Sequence, residues 1–349
     1  MATNLEFIKS TTGTSVSTLD VTDCFSADYD VYYVSISKAD FTGNAYTGMR
    51  FLDSGGTVIN QLEYDYATLN MNSSTSFTEL KGTSQSYLPN FALTQTGSED
   101  FGGISFYIFN PYDSSSYTFV TLQASTYGGA TPKLYGSKYI GVHKSAEQLS
   151  GIHMIRSDVA TMDNMTVNVY GVKWIMAGSL IKIDEEIVTS AVASVSLLGI
   201  DSTYDVYMVK LNNVVPQTDT NDLKARVTES GTPNTTANYD RAQKILRADI
   251  AFENTSATNE TSFDLSTSIG NATGEQLNSI IYIFNANNSG EYTFITMENV
   301  QLSHNPILIG NQGGAVFTSA SAVDGIQFFT QTGATNIDSG TFTLYGLKK

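Results

Sequence analysis

The feature that most constrains this chain is that it repeats itself. Tyr29-Asp30-Val31-Tyr32 returns 175 residues on as Tyr204-Asp205-Val206-Tyr207, and Tyr64-Asp65-x-Ala67 returns at the same offset as Tyr239-Asp240-x-Ala242. Tyr107-Ile108-Phe109-Asn110 and Tyr117-Thr118-Phe119 recur as Tyr282-Ile283-Phe284-Asn285 and Tyr292-Thr293-Phe294. The series closes on Val169-Tyr170-Gly171-Val172-Lys173, matched by Leu344-Tyr345-Gly346-Leu347-Lys348. Gly151-Ile152 and Gly325-Ile326 differ by 174, and Ser15-Val16-Ser17 and Ser194-Val195-Ser196 by 179, so the small insertions fall between anchors, where loops absorb them. Collinear matches over both halves predict two copies of one fold, residues 1–173 and 174–349. The joint at Trp174-Ile175-Met176-Ala177-Gly178 has no Pro/Ser-rich spacer, which favours domains packed side by side, with Trp174, the only tryptophan, filling the seam.

Within each copy the pattern is that of strands. Asp30–Ser37, Ile104–Phe109 and Tyr117–Leu122 are dense in β-branched and aromatic residues. Between such runs lie turn formers: Asp53-Ser54-Gly55-Gly56, Asn110-Pro111-Tyr112-Asp113 and Thr126-Tyr127-Gly128-Gly129. Helical composition is confined to Tyr239–Ala251 and Ser145–Leu149, enough for a turn or two and no long helix. Many short strands in domains of this size predict an all-β chain of two tandem antiparallel β-sandwiches of jelly-roll type with little helix.

The balance of 18 Lys plus Arg against 34 Asp plus Glu gives a formal charge of -16, which repels phosphate backbones and argues against nucleic acid as a partner. Both copies share it, with nine basic and 16 acidic residues up to Trp174 and nine and 18 beyond. No apolar run approaches the roughly 20 residues of a membrane-spanning helix. The start, Met1-Ala2-Thr3-Asn4-Leu5-Glu6-Phe7, carries no basic region ahead of a long apolar stretch, so the expectation is synthesis in a cytoplasm without export. A single cysteine, Cys24, permits no internal disulfide and has no cationic neighbour in sequence, predicting an inert, half-buried thiol.

Motifs for chemistry are scarce. Glycoside hydrolysis needs a carboxylate pair, for which Glu63 with Asp65, or Asp184 with Glu185 and Glu186, are the candidates; solvated surface charge is the simpler reading of both. His143, His153 and His304 supply the only imidazoles, and no Gly-x-Ser-x-Gly elbow, phosphate-binding loop, His-Glu-x-x-His or full calcium loop accompanies them. No catalytic residue, cofactor or metal site is therefore expected. Residues shared by the copies read as fold determinants: Tyr170 and Tyr345 as buried rings with hydroxyls tied to backbone, Asp30 and Asp205 as caps on turn amides in preference to cation ligands. Asn70–Ser76 and Asn254–Glu260 read as exposed loop tips.

The repeated module, Tyr-Asp-Val-Tyr, then Ile-Phe-Asn, then the ending Gly340-Thr341-Phe342-Thr343-Leu344-Tyr345-Gly346-Leu347-Lys348, resembles β-sandwich modules in structural proteins of tailed bacteriophages. Copy one departs from that ending, with Asn164 in place of the glycine. The resemblance implies a non-enzymatic virion component whose partners are the major capsid protein or other virion proteins: a head decoration or cement protein, with a tail fibre or receptor-binding protein contacting host glycans as the alternative. It implies a symmetric homo-oligomer, trimers being common in such proteins, and no catalytic residues. Copy-specific loops or the Met1–Lys9 segment are expected to make the contacts, with strand Phe7-Ile8 adding to a neighbour's sheet edge. A polysaccharide depolymerase is the third option.

Overall fold

The computed structural model describes residues 5–41, 45–74, 77–94, 101–128, 133–158, 160–172, 180–331 and 335–347. Its regular structure is all strand, with no helix among the described residues. The chain divides into two compact units, residues 5–173 with 247–251 and residues 174–246 with 252–349, apart from four N-terminal residues outside the description. Trp174 and the rest of the joint also lie outside the described residues.

The first copy contains β1 (Leu5–Val16), β2 (Thr18–Val21), β3 (Val31–Phe41), β4 (Ala45–Asp53), β5 (Tyr64–Asn72) and β6 (Phe77–Gln85). It continues with β7 (Leu93–Thr94), β8 (Phe101–Phe109), β9 (Thr118–Gly128), β10 (Lys133–His143), β11 (Leu149–Arg156) and β12 (Met162–Val172). An eight-stranded sheet runs β1-β12-β3-β8-β9-β10-β5-β6, and a four-stranded sheet runs β2-β11-β4-β7. When β5, β6, β9 and β10 are set aside, the remaining strands, numbered in chain order, run 1-8-3-6 in one sheet and 2-7-4-5 in the other. That order is the jelly roll. The four strands set aside are two inserted hairpins that widen one sheet.

The second copy contains β13 (Leu180–Val188), β14 (Ser194–Leu198), β15 (Val206–Pro216), β16 (Leu223–Glu229), β17 (Thr232–Pro233), β18 (Tyr239–Arg247) and β19 (Glu253–Glu260). After these come β20 (Phe263–Asp264), β21 (Leu277–Phe284), β22 (Thr293–Leu302), β23 (Leu308–Phe317), β24 (Gly325–Thr330) and β25 (Ile337–Leu347). Its large sheet is β13-β25-β15-β21-β22-β23-β18-β19, the first copy's order strand for strand. The small sheet is β14-β24-β16-β17, with β20 also on β16 as β7 is on β4.

Period-two alternation builds each core. Tyr32, Val34 and Ile36 of β3 enter a cluster with Leu19 and Val21 of β2, Met49 and Phe51 of β4, and Ile152 and Met154 of β11. Their alternates Tyr33, Ser35 and Ser37 face the other way. In the second copy Tyr207, Val209 and Leu211 meet Leu197, Val227, Ile326 and Phe328. Each fully buried side chain of this size contributes about 1.5–3 kcal/mol.

The repeated anchors have structural jobs. The Tyr32 hydroxyl accepts from Ser26 N at 2.6 Å and donates to Ser26 O at 2.9 Å; the Tyr207 hydroxyl does the same with Asp201, at 2.9 and 2.5 Å. Tyr64 accepts from Phe51 N and donates to Ile59 O, both at 3.1 Å, while Tyr239 accepts from Val227 N at 3.1 Å and donates to Asn234 O at 3.0 Å. Asp65 Oδ1 accepts from Ser84 N at 2.8 Å and Asp240 Oδ1 from Asn259 N at 2.9 Å, each holding a residue at positive φ, 52° and 58°. Asn110 and Asn285 both sit at φ 59°, donating their backbone N–H to the carbonyls of Asp30 and Asp205. Gly171 and Gly346 leave room for the rings of Tyr29 and Tyr204, into which a Cβ would project.

Several expectations are corrected. The four tyrosines just described tie their hydroxyls to backbone; of the two expected to be buried rings, Tyr345 is fully buried, whereas Tyr170 is half-buried on the outer face and meets Phe7 edge-on at 5.8 Å. Tyr239–Arg247 is strand β18, because Tyr239, Gln243 and Ile245 are buried at even spacing on a sheet that supplies partners on both sides. Ser145–Gln148 is an irregular connection leading into β11. Asn254–Glu260 is edge strand β19, exposed as expected but paired along one side with β18. Thr126–Gly128 continues β9, and Asn70–Asn72 ends β5, with Ser73 and Ser74 in a turn and the next two residues outside the description. Cys24 is fully buried, its thiol donating to Val21 O at 3.4 Å and pushed up to about 12 by burial. Phe7 and Ile8 lie within β1, the terminal strand of the large sheet.

Candidate functional site

The carboxylate candidates fall apart as pairs. Asp65, expected to be solvated, is buried, held by Ser84 N and by Lys144 Nζ at 2.9 Å. Asp184 accepts from Glu185 N at 2.9 Å and Leu198 N at 2.8 Å, and Glu185 engages Lys182 Nζ at 2.9 Å, so both are committed to local structure. His153 pairs with Asp20 through Nδ1. His304 lies in the turn between β22 and β23.

Glu63 behaves differently, because the fold brings it to His143 from 80 residues away. His143 ends β10, paired with Tyr64 on β5 and Thr118 on β9, and its side chain is fully buried. Its ring lies 4.9 Å from that of Tyr64 and 5.9 Å from that of Phe51. Nε2 stands 3.2 Å from Glu63 Oε2 and 3.7 Å from Glu147 Oε1, on carboxylates about one-third exposed at 36% and 34%. Nδ1 has no partner among the described residues. Burial lowers the imidazole to about 4, with Glu147 opposing the shift, so the ring is neutral at pH 7. The neutral ring carries one proton, and with two acidic oxygens converging on Nε2 only one can be hydrogen-bonded.

The second copy supplies a comparison. Lys144 N donates to Glu63 O at 2.8 Å, and Thr318 N to Asn238 O at 2.7 Å, so Asn238 stands where Glu63 does. Phe317 closes β23 opposite Thr293, as His143 closes β10 opposite Thr118, and its ring lies 5.0 Å from Tyr239. Ser321 stands 174 residues beyond Glu147. The His143 group therefore belongs to the first copy alone.

A second copy-specific feature lies on the outer face of the first copy's large sheet. Phe7, Tyr170, Tyr33 and Tyr107 are register partners across β1, β12, β3 and β8. Their rings follow one another at 5.8, 6.1 and 5.4 Å, with Phe7 58% exposed. The same register in the second copy reads Lys182, Tyr345, Met208 and Tyr282. Beside Tyr33 an open groove of about 430 Å³ crosses β3, β8 and β9, lined by Ser35, Ser37, Ser105, Gln123 and Ser125, with no charged side chain. The sequence offers Glu63 and His143 as separate candidates without their meeting, and gives no sign of the aromatic row. Superposing the copies isolates His143 against Phe317, whereas the aromatic row depends on register among four strands scattered through the copy.

No family model matches the chain. No curated protein sequence matches it either. Among solved structures, domains LG4-5 of the mouse laminin alpha1 chain match at 9% identity over 95% of this chain and 86% of that one, with a TM-score of 0.18. A fructofuranosidase from Schwanniomyces occidentalis, complexed with fructosylnystose, matches at 10% identity over 87% of this chain and 60% of its own, with a TM-score of 0.25. A structure of infectious bursal disease virus, Gt strain, matches at 10% identity over 99% and 78%, with a TM-score of 0.10. These likenesses carry no weight for function.

Proposed function

We propose that the chain is a non-enzymatic structural protein of a tailed-phage virion, placed on the outside of the head as a decoration or cement protein. The observation that supports this most is the strand-for-strand duplication of a jelly roll in which the residues common to both copies serve the scaffold. Such a chain presents two like surfaces, a construction suited to bridging repeated units of the major capsid protein. Strand β1, at the end of the large sheet and exposed along much of its length, is placed to extend a neighbouring subunit's sheet. A symmetric homo-oligomer is the expected state on such a lattice. Cryo-EM of the parent particle tests the reading. Density for the chain at regular lattice positions on the head supports it, and density confined to the tail refutes it.

The alternative, a tail fibre or receptor-binding protein, is favoured by the aromatic row and the uncharged hydroxyl- and amide-lined groove beside Tyr33. Sugars stack their C–H faces on such rings and exchange hydrogen bonds with such groups. Saturation-transfer NMR against host-surface oligosaccharides, with Tyr33→Ala and Gln123→Ala as outward-facing variants, tests it. Signal in the parent chain lost in both variants supports the reading; equal signal in all three refutes it.

A further inference from the structure

We propose that Glu63, His143 and Glu147 form a binding site for a divalent transition-metal ion of the zinc class, built into the first copy and absent from the second. The three ligand atoms lie within 4.8 Å of one another, on three different parts of the chain: the residue before β5, the last residue of β10, and the connection to β11. Zinc takes nitrogen at about 2.0–2.1 Å and carboxylate oxygen at about 2.0–2.2 Å, so the edge of its tetrahedron is about 3.4 Å. The distances from Nε2 to the two carboxylate oxygens, 3.2 and 3.7 Å, bracket that edge. The third edge, between the two carboxylate oxygens, lies within 4.8 Å, so seating a metal draws the two partly exposed carboxylates toward each other.

Three further points favour an ion. First, two carboxylates, their ligand oxygens within 4.8 Å of each other, converge on a ring nitrogen that can donate one hydrogen bond, so one carboxylate at most is satisfied by the ring, whereas a divalent cation engages both. Second, the position has no structural need for a polar ring, because the second copy fills it with Phe317 against the matching tyrosine. All three members change together, to Asn238, Phe317 and Ser321, none of which is a strong metal ligand. Third, His143 is buried at the end of a strand paired on both sides while both carboxylates reach solvent, so the ion has an entry path and room for water as its remaining ligand.

Donor chemistry sets the selectivity. An imidazole nitrogen suits Zn²⁺ and its neighbours, whereas Ca²⁺ and Mg²⁺ demand oxygen ligands in larger number. The same geometry limits affinity. A ligating histidine normally donates its second N–H to an oxygen, and losing such a partner weakens binding 10- to 100-fold. His143 Nδ1 has none among the described residues, so micromolar affinity is expected in place of the nanomolar affinity of closed structural sites.

The test uses the full chain, stripped with a chelator and titrated with ZnCl₂ by calorimetry, with CaCl₂ and MgCl₂ as comparisons. One Zn²⁺ per chain with a micromolar dissociation constant is expected, and no heat from the other two salts in that range. His143→Phe, which installs the second copy's residue, is expected to fold and to lose that zinc; Glu147→Gln, at a partly exposed side chain, is expected to weaken it at least tenfold. No uptake by the parent chain up to about 1 mM overturns the proposal. So does equal zinc binding by the folded His143→Phe variant, or loss of binding on His153→Ala, which would place the ion beside Asp20.

Discussion

Replacing His143 by Phe makes a quantitative prediction about acid stability that does not depend on metal. Burial holds the imidazole at about 4 against an ordinary 6.5, even with Glu63 and Glu147 beside it and Tyr64 and Phe51 against its ring. Above pH 6.5 the ring is neutral in both states and contributes no pH dependence. Between 6.5 and 4 the unfolded chain takes up a proton that the native chain refuses, so stability falls as the pH falls. Each pH unit across that window is worth 1.36 kcal/mol, giving a loss of roughly 3 kcal/mol by pH 4. Phenylalanine removes this loss while retaining the ring contact. For a domain of this size that is a Tm difference of roughly 6–12 °C. Scanning calorimetry at pH 7.5 and pH 4 in chelator should show parent and variant within a few degrees at the higher pH. At pH 4 the first copy should melt roughly 6–12 °C higher in the variant, with the second copy's transition as internal control. Parallel pH dependence of the two proteins would refute the reasoning.

Three other outcomes are expected. Tyr64→Phe and Tyr239→Phe should each destabilise their own copy by about 1–3 kcal/mol in urea unfolding, because each strands a buried backbone N–H and carbonyl; a large effect in one copy and none in the other would break the equivalence of the anchors. Gly171→Ala and Gly346→Ala, which drive a methyl into the Tyr29 and Tyr204 rings, should cost about 1–3 kcal/mol or more, readable as a lowered Tm, and unchanged melting would show that the rings move aside freely. Cys24 should resist a thiol-specific reagent at pH 8 in the native chain and react once per chain in denaturant, since its buried thiol is pushed up to about 12; rapid native labelling would contradict the burial.

The scaffold was legible because it is written twice. The 175-residue offset anticipated matched strands, and the β-branched and aromatic run Asp30–Ser37 marked a strand, which in the structure turns Tyr32 and Val34 to the core and Tyr33 and Ser35 away from it. Tyr239–Arg247 misled because Arg, Ala, Lys and Leu have helical propensity, which β23 and β19 override by pairing on both sides. Asn254–Glu260 misled because a polar edge strand has the composition of a loop. The meeting of the residues with chemical potential stayed hidden for a different reason. Glu63 and His143 meet only because β10 crosses to β5, a pairing created by the two inserted hairpins, and nothing local in the sequence marks it.

The pairing of β1 with β12 also governs when each copy can fold. Leu5 pairs with Val172 and Leu180 with Leu347, so in both copies the first strand waits for a partner 167 residues downstream. At about 5–20 residues per second, a ribosome takes roughly 10–30 s to deliver it. Throughout that interval a half-built sandwich carries an open edge. When translation ends, two closing strands of like sequence are present for two opening strands of like shape. The register is the same in both copies, but the residues it brings together differ, Phe7 with Tyr170 in one and Lys182 with Tyr345 in the other, and that difference gives the chain a means of telling its own closures apart and of avoiding a strand exchange between copies.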